Sequence, residues 1–463
     1  MSWRKMLAVL VFGSLLASRP AMVRAADQIW LVASDIHLNP FDHDPEPVDF
    51  GSDTNVALFD SMVREMHAAV PSPTLVLLPG DFLVHDFTHR AEAHPSQGTP
   101  VQIAEATMRT IASALDRIYP KARFEIALGN NDAPCGDYRS DQGDAYLAAL
   151  ARIWGPLVDR GGAAPSFVRQ FSRGGYYESS LPVRGFRLIS LQTVALSIEY
   201  RGECGGGRVD VTGTQLAWVR ATLARTPKDT RNVLMMHIPP GYDAMVTETA
   251  HGFLPWSFLH AGANAELLHV LTEPAYRVAY AFSGHLHRFD FRLAGNVPII
   301  TFGSISPVYH NDPAFYAVRV APDGSLRDID TYVYDEWTGQ WVGPRSFDRE
   351  FGVASIDAPS LAALHQRLGT DPALRKEWNL STTGWPSRHD AMWGSWARSW
   401  RVAWCAQSIV TRSSGFAECA GIERRVVFLR IVLAGLAFAV LAAIAAVVVS
   451  VRRRRGRSRP SLP

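Results

Sequence analysis

The most regular feature of the chain is an alternation of short apolar runs with amphipathic segments, from residue 28 to about residue 320. The apolar runs predict strands, at residues 29–34, 75–78, 124–128, 186–191, 233–236, 278–282 and 299–302. Apolar residues at helical spacing predict helices, at residues 56–69, 103–118, 145–154, 214–223 and 265–271. Strands that alternate with helices are typical of an α/β domain built on buried, partly parallel sheets.

The C-terminal part of the chain has a different pattern. Residues 358–419 have a helical pattern rich in tryptophan, which predicts a small helical subdomain between the main domain and a membrane segment. Residues 431–451 contain no charge, and these 21 residues are enough for a helix to cross the ~30 Å apolar core of a bilayer. Six arginines follow in residues 452–459, so the positive-inside rule predicts a cytoplasmic tail.

The N-terminus has the order of a secretory signal peptide. Arg4 and Lys5 precede a short apolar run at residues 6–17, and the small residues Val23 and Ala25 suit cleavage after Ala25. An uncleaved N-terminal anchor is the alternative. Together the two ends predict a single-pass membrane protein whose main domain is periplasmic or extracellular.

Charge is distributed unevenly. The 46 lysines and arginines and the 44 acids give a net charge of +2. Residues 1–25 and 452–463 hold ten of the basic residues and no acid, and residues 423–451 carry a net +2, so residues 26–422 carry −10. An acidic main domain repels polyanions, which disfavours nucleic acid as a partner. The 47% share of hydrophobic residues excludes a disordered chain.

The four cysteines suit an oxidising compartment. Cys405 and Cys419 are close in sequence, which favours one disulfide between them and a second between Cys135 and Cys204. Four cysteines allow three pairings, and the sequence alone leaves the choice open. Free buried thiols are a further alternative.

Side chains that can bind metals follow five of the apolar runs. In chain order they are Asp35 and His37, Asp81, Asn130, His237, and His285 with His287. In open α/β sheets ligands bind beyond the carboxyl ends of the strands, so these five ends can converge. The last two histidines are expected to point to one side, because alternate residues of an extended segment do so. Carboxylate, carboxamide and imidazole donors suit two divalent ions such as zinc, manganese or iron.

Each motif alone has an ordinary structural explanation. A Gly-Asp pair after a strand is a common turn, and a single histidine at a strand end is more often a hydrogen-bonded core residue than a ligand. The joint order of the motifs and their strand context favour a metal site. Five other histidines are expected to lie in loops or on the surface: His43, His251, His260, His365 and His389. Of these, His251 and His260 are weak candidates for lining a substrate cleft.

The ordered motifs are similar to those of the calcineurin-like metallophosphoesterases, over about residues 28–320. Residues 35–40 (Asp-Ile-His-Leu-Asn-Pro) and 80–86 (Gly-Asp-Phe-Leu-Val-His-Asp) resemble the acid sphingomyelinase-like branch, which includes endopolyphosphatases. The Trp/Cys-rich stretch up to Cys419 loosely resembles the C-terminal subdomain of that branch. The resemblance implies a metallophosphoesterase-type β-sandwich flanked by helices.

The resemblance also implies a division of the ligands between two divalent metal ions. Asp81 would bridge both ions. The other ligands of the first ion would be Asp35, His37 and His287, and those of the second would be Asn130, His237 and His285. Such a centre hydrolyses phosphodiester or phosphomonoester bonds with a hydroxide that bridges the two metals.

The chain departs from the family pattern at Asn131, which stands where the family usually has a histidine that helps to protonate the leaving group. An asparagine here is similar to the endopolyphosphatase variant. Asn131 can donate a hydrogen bond to a phosphoryl oxygen, but it cannot deliver a proton at neutral pH. His85 matches the other active-site histidine of the branch. It is therefore the candidate general acid, since an imidazole has an ordinary pKa of about 6.5.

Three functions follow as hypotheses. The first is a membrane-anchored, exported phosphoesterase that acts on a small or lipid-linked phosphoester. The second, an endopolyphosphatase-like hydrolase of phosphoanhydride bonds, is favoured by Asn131 but disfavoured by the acidic main domain. The third, a non-catalytic binding protein on this fold, is disfavoured because all seven ligand positions are filled. A lipid substrate would suit the apolar run at residues 251–256, for which ordinary loop packing is the alternative.

These patterns predict five segments. They are a signal peptide (1–25), a catalytic domain (26–345), a helical subdomain with tryptophans and cysteines (346–422), a transmembrane helix with its flank (423–451) and a basic cytoplasmic tail (452–463).

Overall fold

The structure is a computed structural model. It describes residues 26–457 except residues 49, 141–144, 206–210, 250–253, 336 and 383–399. Several predictions from the sequence therefore fall outside the described residues. They concern the signal peptide, the last residues of the basic tail, two histidines (His251 and His389) and three tryptophans (Trp385, Trp393 and Trp396).

Within the described residues, twelve strands form two six-stranded sheets. The first sheet contains β1 (Gln28–Val32), β2 (Leu75–Leu78), β3 (Arg123–Ile126), β10 (Ala314–Val320), β11 (Leu326–Asp335) and β12 (Gln340–Ser346), in the order β12-β11-β10-β1-β2-β3. The second contains β4 (Tyr177–Ser180), β5 (Phe186–Ser190), β6 (Arg231–Met235), β7 (Val278–Ser283), β8 (Asp290–Ala294) and β9 (Val297–Thr301), in the order β4-β5-β6-β7-β9-β8.

The first sheet is parallel in one half and antiparallel in the other, whereas the second is parallel in the centre and antiparallel at both edges. β1, β2 and β3 are parallel, as are β5, β6, β7 and β9, whereas β10, β11 and β12 pair in antiparallel fashion. Each of the seven apolar runs contains one of these parallel strands, which confirms the predicted partly parallel sheets. Five strands (β4, β8, β10, β11 and β12) lie outside those runs.

Alternate residues of each central strand face two different layers. Trp30 and Val32 of β1 pack in one buried cluster with Val233 of β6 and Phe282 of β7, so this cluster lies between the two sheets. The intervening residue, Leu31, belongs to a second cluster that includes residues of the helices on the outer side of the first sheet. A third cluster covers the outer side of the second sheet. The fold is therefore a β-sandwich flanked by helices, as predicted.

The outer helices and the connecting helices are short to moderate in length. They are α1 (Val56–Ala69), α2 (Phe87–Glu92), α3 (Pro100–Ile118), α4 (Ala145–Val158), α5 (Phe167–Gly174), α6 (Val211–Ala224), α7 (Ala244–Thr249), α8 (Ala261–Thr272) and α9 (Phe347–Phe351). Local sequence explains where the first of them begins, because Asn55 caps α1 by accepting a hydrogen bond of 2.9 Å from the backbone N–H of Leu58.

The C-terminal part of the described chain is helical. Its helices are α10 (Ala358–Thr370), α11 (Pro372–Thr382), α12 (Trp400–Ser408), α13 (Ser413–Ala420) and α14 (Ile422–Arg457). The helices α10 and α12 pack against the second sheet. Leu361 of α10 and Trp378 of α11 belong to the cluster between the sheets. His365 is buried in α10 and stacks on Trp404 with ring centroids 4.4 Å apart, so its expected loop or surface position is wrong. The domain boundary at residue 346 stays a prediction.

The last helix contains the candidate membrane span. Residues Leu429–Ser450 of α14 form an apolar stretch of 22 residues that is exposed along its whole length. By length and composition it is able to cross a bilayer. Both predicted disulfides are present, one between Cys135 and Cys204 and one between Cys405 and Cys419. These features are those of an exported or membrane protein.

Candidate metal centre and active site

The candidate metal ligands converge because they all follow the carboxyl ends of parallel strands. In the first sheet, β1 leads to Asp35 and His37, β2 to Asp81, and β3 to Asn130; in the second, β6 leads to His237, and β7 to His285 and His287. The carboxyl ends of neighbouring parallel strands lie at one edge of a sheet. The two sheets present this edge on the same side, so the sequence prediction that the five strand ends meet is confirmed.

Asp81 lies at the centre of the group. Its Oδ2 is 3.4 Å from Nε2 of His37 and 3.1 Å from Nε2 of His237. On the second side, Nε2 of His237 is also 3.1 Å from Oδ1 of Asn130. His285 completes this side, since its ligand atom lies within 4.8 Å of those of Asp81 and His237.

A second set of donors surrounds the other side of Asp81. Nε2 of His287 lies 3.4 Å from Oδ1 of Asp35 and 3.1 Å from Nε2 of His37. The ligand atoms of Asp35, His37 and Asp81 all lie within 4.8 Å of one another. The described residues thus place all seven predicted ligands in one buried group of oxygen and nitrogen donors.

Left-handed backbone conformations aim these side chains. The φ angles of Asp35, His37, Asp81, His285 and His287 are between 43° and 76°, a region that residues other than glycine seldom adopt. Strain of this kind persists where the surrounding structure holds a functional group in place. The expected extended conformation of residues 285–287 is therefore wrong: the two histidines reach the centre from turn conformations.

Close approach of the loops requires two glycines. A methyl group on Gly129 would overlap the carboxylate of Asp81, and one on Gly284 would lie 2.6 Å from Oδ2 of Asp35. Any larger residue at either position would push a candidate ligand out of place. The Gly-Asn and Gly-His sequences therefore have a steric reason as well as a chemical one.

Several imidazole rings are fixed in orientation or kept neutral, as metal ligands need to be. The Nδ1–H of His37 donates to the backbone carbonyl of Leu83 at 3.0 Å, and that of His237 donates to the carbonyl of Pro79 at 2.9 Å. Such bonds fix the ring and leave Nε2 free as a ligand. Burial lowers the pKa of His37 to about 4 and that of His285 to about 3, so both rings are neutral at pH 7.

The carboxylates draw positive charge into the group. Burial opposes ionisation of Asp81, but the neighbouring histidines outweigh it and hold its pKa well below the usual range. Burial likewise opposes protonation of His237, yet Asp81 and Asp35 raise the pKa of this ring to about 9. The converging oxygen and nitrogen lone pairs thus attract a proton when no other cation is near. Such a donor set fits divalent cations of the zinc, manganese or iron kind.

His85 lies beside the ligand group. Its ring stacks on His37 with centroids 4.0 Å apart, and its side chain is 24% exposed. The Nδ1–H donates to Oδ1 of Asp53 at 2.8 Å. Burial opposes protonation of His85, but the hydrogen bond and charge of Asp53 outweigh it and raise its pKa. Asp53 was not predicted from the sequence, because no motif links it to a histidine 32 residues later.

A cleft of about 290 Å³ opens onto the ligand group. Besides Asp81, Asn130, His285 and His287 it is lined by His85 and by three more acids, Asp137, Glu199 and Asp243. The disulfide between Cys135 and Cys204 holds the loop that carries Asp137. His260 is exposed at the start of α8 and is not among the lining residues, as expected for a surface histidine.

Comparison with known proteins gives the family of the chain. The sequence pattern of the calcineurin-like phosphoesterases matches residues 30–289, which include all seven candidate ligands. The chain belongs to the calcineurin-like phosphoesterase family. The metallophosphoesterase-type fold inferred from the strand-end motifs is therefore confirmed.

Two curated relatives of this phosphoesterase come from Dictyostelium discoideum. The protein named sphingomyelinase phosphodiesterase D is 26% identical over 66% of this chain and 66% of its own length. The protein named sphingomyelinase phosphodiesterase C is 25% identical over 55% of this chain and 52% of its own length. The chain thus matches slightly less than two thirds of one relative and about half of the other.

Solved structures that are similar to this phosphoesterase match it at low sequence identity and low TM-score. A 5'-nucleotidase precursor from Thermus thermophilus is 13% identical, with a TM-score of 0.33, over 74% of this phosphoesterase and 59% of the nucleotidase chain. Phosphopantetheinyl hydrolase from Mycobacterium tuberculosis is 12% identical, with a TM-score of 0.31, over 60% and 90% of the two chains.

Asn131 is directed at a carboxylate of this phosphoesterase. Its Nδ2 donates to Oδ2 of Asp81 at 2.9 Å, and its backbone N–H donates to Oδ1 at 2.8 Å. The side chain is only 1% exposed, and among the described residues its Oδ1 has no hydrogen-bond partner. The predicted contact between Asn131 and a phosphoryl oxygen stays a prediction.

Asp132 connects the loops that carry the ligands, a role that the sequence did not reveal. Its carboxylate accepts hydrogen bonds from the backbone N–H groups of Gly129, Asp81 and Phe82, at 2.7, 3.0 and 2.7 Å. The N–H of Leu83, in the loop after β2 with Asp81 and Phe82, also donates to this carboxylate, at 3.2 Å. The carboxylate thus fixes the loop after β2 against the loop after β3.

Proposed function

We propose that this chain is a metal-dependent phosphoesterase that hydrolyses phosphodiester bonds, or phosphomonoester bonds, outside the cytoplasm. The observation that carries the proposal is the position of Asp81, whose Oδ2 lies 3.4 Å from Nε2 of His37 and 3.1 Å from Nε2 of His237. One carboxylate is therefore within reach of two donor sets, as a ligand that bridges two ions must be. Family membership and the names of the two relatives support a metal-dependent hydrolase.

Two divalent ions would divide the donors between them, with Asp81 as the shared ligand. The proposed further ligands are Asp35, His37 and His287 for the first ion and Asn130, His237 and His285 for the second. When bound there, such ions supply positive charge that polarises phosphoryl oxygens and lowers the pKa of a water molecule. The fixed imidazole rings and the buried carboxylates support this assignment, since little reorganisation is needed on binding.

His85 is the proposed general acid. It lines the cleft, and the hydrogen bond from its Nδ1–H to Asp53 directs the other ring nitrogen away from that carboxylate. Its raised pKa shifts the ring toward the protonated form, which is the form that a general acid needs. Proton transfer from His85 to the departing alkoxide would then take place beside the ligand group. Asp53 is a positioning residue, because it acts through the imidazole.

Charges around the cleft favour a phosphoester over polyphosphate. Asp137, Glu199 and Asp243 line the cleft together with the ligands, so a second or third phosphate would lie among carboxylates. A phosphodiester carries a single negative charge and avoids most of this repulsion. A lipid phosphodiester is our first candidate, in line with the printed names of the two relatives. Endopolyphosphatase-like hydrolysis and a purely binding role are the alternatives that the experiment below separates.

The chain is further proposed to be exported and anchored by one helix. Leu429–Ser450 would span the bilayer, the arginines after it would remain in the cytoplasm, and the disulfides suit the opposite side. The predicted signal peptide and the predicted domain boundaries belong to the same proposal.

The test uses the full chain in lipid nanodiscs, supplied with Mn²⁺ or Zn²⁺. Its turnover is measured on a soluble diester, a soluble monoester, inorganic polyphosphate and sphingomyelin. We expect metal-dependent hydrolysis of the diester or the monoester, at a rate well above that of polyphosphate. Asp81→Asn should abolish it, whereas the exposed acid change Asp60→Asn should leave it intact. Preference for polyphosphate would favour the endopolyphosphatase alternative, and metal binding without turnover of any substrate would favour a binding protein.

A further inference from the structure

The wall of the cleft also packs against the base of the candidate membrane helix. Met245 and Val246 of α7 line the cleft. Tyr242, Ala244 and Met245 at the same time belong to a hydrophobic cluster formed with α12, α13 and the start of α14. One short helix therefore separates the proposed active site from the root of the anchor.

The segment that leads into α7 packs closely on the anchor root, which is itself cross-linked. Tyr242 stacks on Phe416 of α13 with ring centroids 4.4 Å apart and planes inclined by 7°. The disulfide between Cys405 and Cys419 joins α12 to α13, next to this stack. Ile422, the first residue of α14, is only 2% exposed in the same cluster. The anchor is thus held against the catalytic domain from its first residue.

The distance from this cluster to the membrane span is short. Six residues lie between Ile422 and Leu429, where the apolar span begins, so the two are seven helical steps apart. At 1.5 Å per helical residue the separation is roughly 10 Å. A cleft wall that packs on Ile422 therefore lies close to the surface of the bilayer that the span crosses.

An exposed apolar side chain lies beside this wall. Leu254 is 65% exposed. The segment after it is fixed to α7, because the N–H of Asp243 donates to the carbonyl of Trp256 at 2.8 Å and the N–H of Trp256 donates to Oγ1 of Thr247 at 2.9 Å. The end of the predicted apolar run 251–256 is thus held against α7. Leu254 is not among the residues that line the cleft.

We propose that Leu254 docks into the lipid surface of the same bilayer that α14 spans, so that the cleft opens at the membrane interface. The proposal rests on the anchoring given under Proposed function and extends it. Because α7 packs in one cluster with Ile422, about 10 Å from Leu429, Leu254 beside α7 would lie near the interface. Transfer of its exposed apolar side chain from water into lipid would be favourable. The enzyme would then act on phosphoesters in its own membrane.

A fluorescence experiment tests the docking without any measurement of activity. All four cysteines are in disulfides, so a single added cysteine can be labelled selectively. Leu254→Cys in the full chain carries an environment-sensitive fluorophore, and the nanodiscs contain lipids with a nitroxide near the headgroup. The control is Val168→Cys on α5, which is 52% exposed and belongs to the layer outside the first sheet. We expect at least twofold quenching at 254 and none at 168, whereas no quenching at 254, or equal quenching at both, would overturn the proposal.

A second measurement compares two presentations of one substrate type. Leu254→Asp should lower turnover of a phosphodiester lipid in nanodiscs by about tenfold and leave turnover of a water-soluble diester unchanged, while Val168→Asp should affect neither. Equal loss on both substrates, or no loss on the lipid, would contradict the proposal. If no phosphoester is hydrolysed by the wild-type chain, the proposed function fails, and the quenching experiment still decides the docking.

Discussion

His85 and Asp53 form a hydrogen-bonded pair beside the candidate metal centre, with 2.8 Å between Nδ1 and Oδ1. The carboxylate is itself held by the hydroxyl of Ser306, which donates to the same oxygen at 3.1 Å. Asn131 occupies the position of the usual family histidine, and an asparagine cannot deliver a proton at neutral pH. We therefore propose that His85, held by Asp53, supplies the proton that the leaving group requires.

Replacement of Asp53 by asparagine should impair the proposed acid while leaving the ligands in place. We expect kcat/KM to fall about 10- to 100-fold for a diester with an alkyl leaving group, since general acid catalysis contributes on the order of 10²–10⁴. A p-nitrophenolate leaving group needs no proton, so its release should be affected much less. The matched control is Asp60→Asn in the exposed part of α1. Equal losses for both leaving groups would show that Asp53 acts on something other than proton transfer.

Replacement of Asn131 by alanine removes one of the two hydrogen bonds from residue 131 to Asp81. The backbone N–H still donates to Oδ1, so the carboxylate should remain in place and metal content should be retained. A hydrogen bond to a charged group contributes about 1.5–3 kcal/mol, which predicts a decrease in kcat/KM of roughly 10- to 100-fold. Asn296→Ala, on an exposed turn, is the control. Unchanged kinetics would mean that Asn131 contributes nothing to the site.

Glu125 should make stability depend on pH. It is buried in β3, where Tyr177 and Ser179 donate hydrogen bonds to its two oxygens, and burial raises its pKa from 4.5 to about 8. The folded state therefore binds this proton more tightly than the unfolded state. Its contribution to stability is complete below pH 4.5, decreases as pH rises through 8 and is absent above that. The slope is at most about 1.4 kcal/mol per pH unit.

The isosteric change Glu125→Gln should remove this dependence. Thermal unfolding between pH 5 and pH 9 is the measurement, with the wild-type chain under the same buffers as the reference. Above pH 8 the variant should be the more stable of the two, because it has no buried charge. Parallel curves of Tm against pH for both proteins would contradict the assignment of the raised pKa to Glu125.

The disulfide between Cys135 and Cys204 should matter for the cleft. It closes a loop of 69 residues, and backbone bonds continue from it to the site, with the N–H of Tyr138 donating to the carbonyl of Asn130 at 2.7 Å. The double change to serine should cost about 2–5 kcal/mol of stability and raise KM for a soluble diester. The corresponding change at Cys405 and Cys419, in the anchor root, should leave that KM unchanged. An identical effect of both double variants on KM would refute the link to the cleft.

The central part of the fold could be predicted from the sequence because its strands are buried on both faces. A continuous apolar run such as Leu75–Leu78 is typical of a strand that is buried on both faces of a parallel sheet. The antiparallel edge was harder to predict, because β12 (Gln340–Ser346) is largely exposed and its sequence is polar and irregular. The ends of buried strands can be located in the sequence once the strands are, and this explains why the seven candidate ligands could be named as a group; their role as ligands stays a prediction.

The supporting residues could not be predicted, because their partners are distant in sequence. Asp53 is hydrogen-bonded to His85, which is 32 residues later in the sequence. Asp132 accepts hydrogen bonds from four backbone N–H groups, and no sequence motif encodes such bonds. The left-handed φ angles of His285 and His287 also have no signal in an ordinary Gly-His-Leu-His sequence. Pattern analysis assigns residues to strands and turns, whereas these features depend on how separate loops pack together.

The most direct test of the account is elemental analysis of the purified full chain, alongside its turnover of a soluble diester. The wild-type protein should contain two divalent ions per chain and lose activity when a chelator removes them. Asp81→Asn should lose both metal and activity, because the shared ligand is gone, while His85→Ala should keep the metal and lose most of the activity on alkyl diesters. Active wild-type protein without bound metal, or an active Asp81→Asn variant with full metal content, would contradict the account.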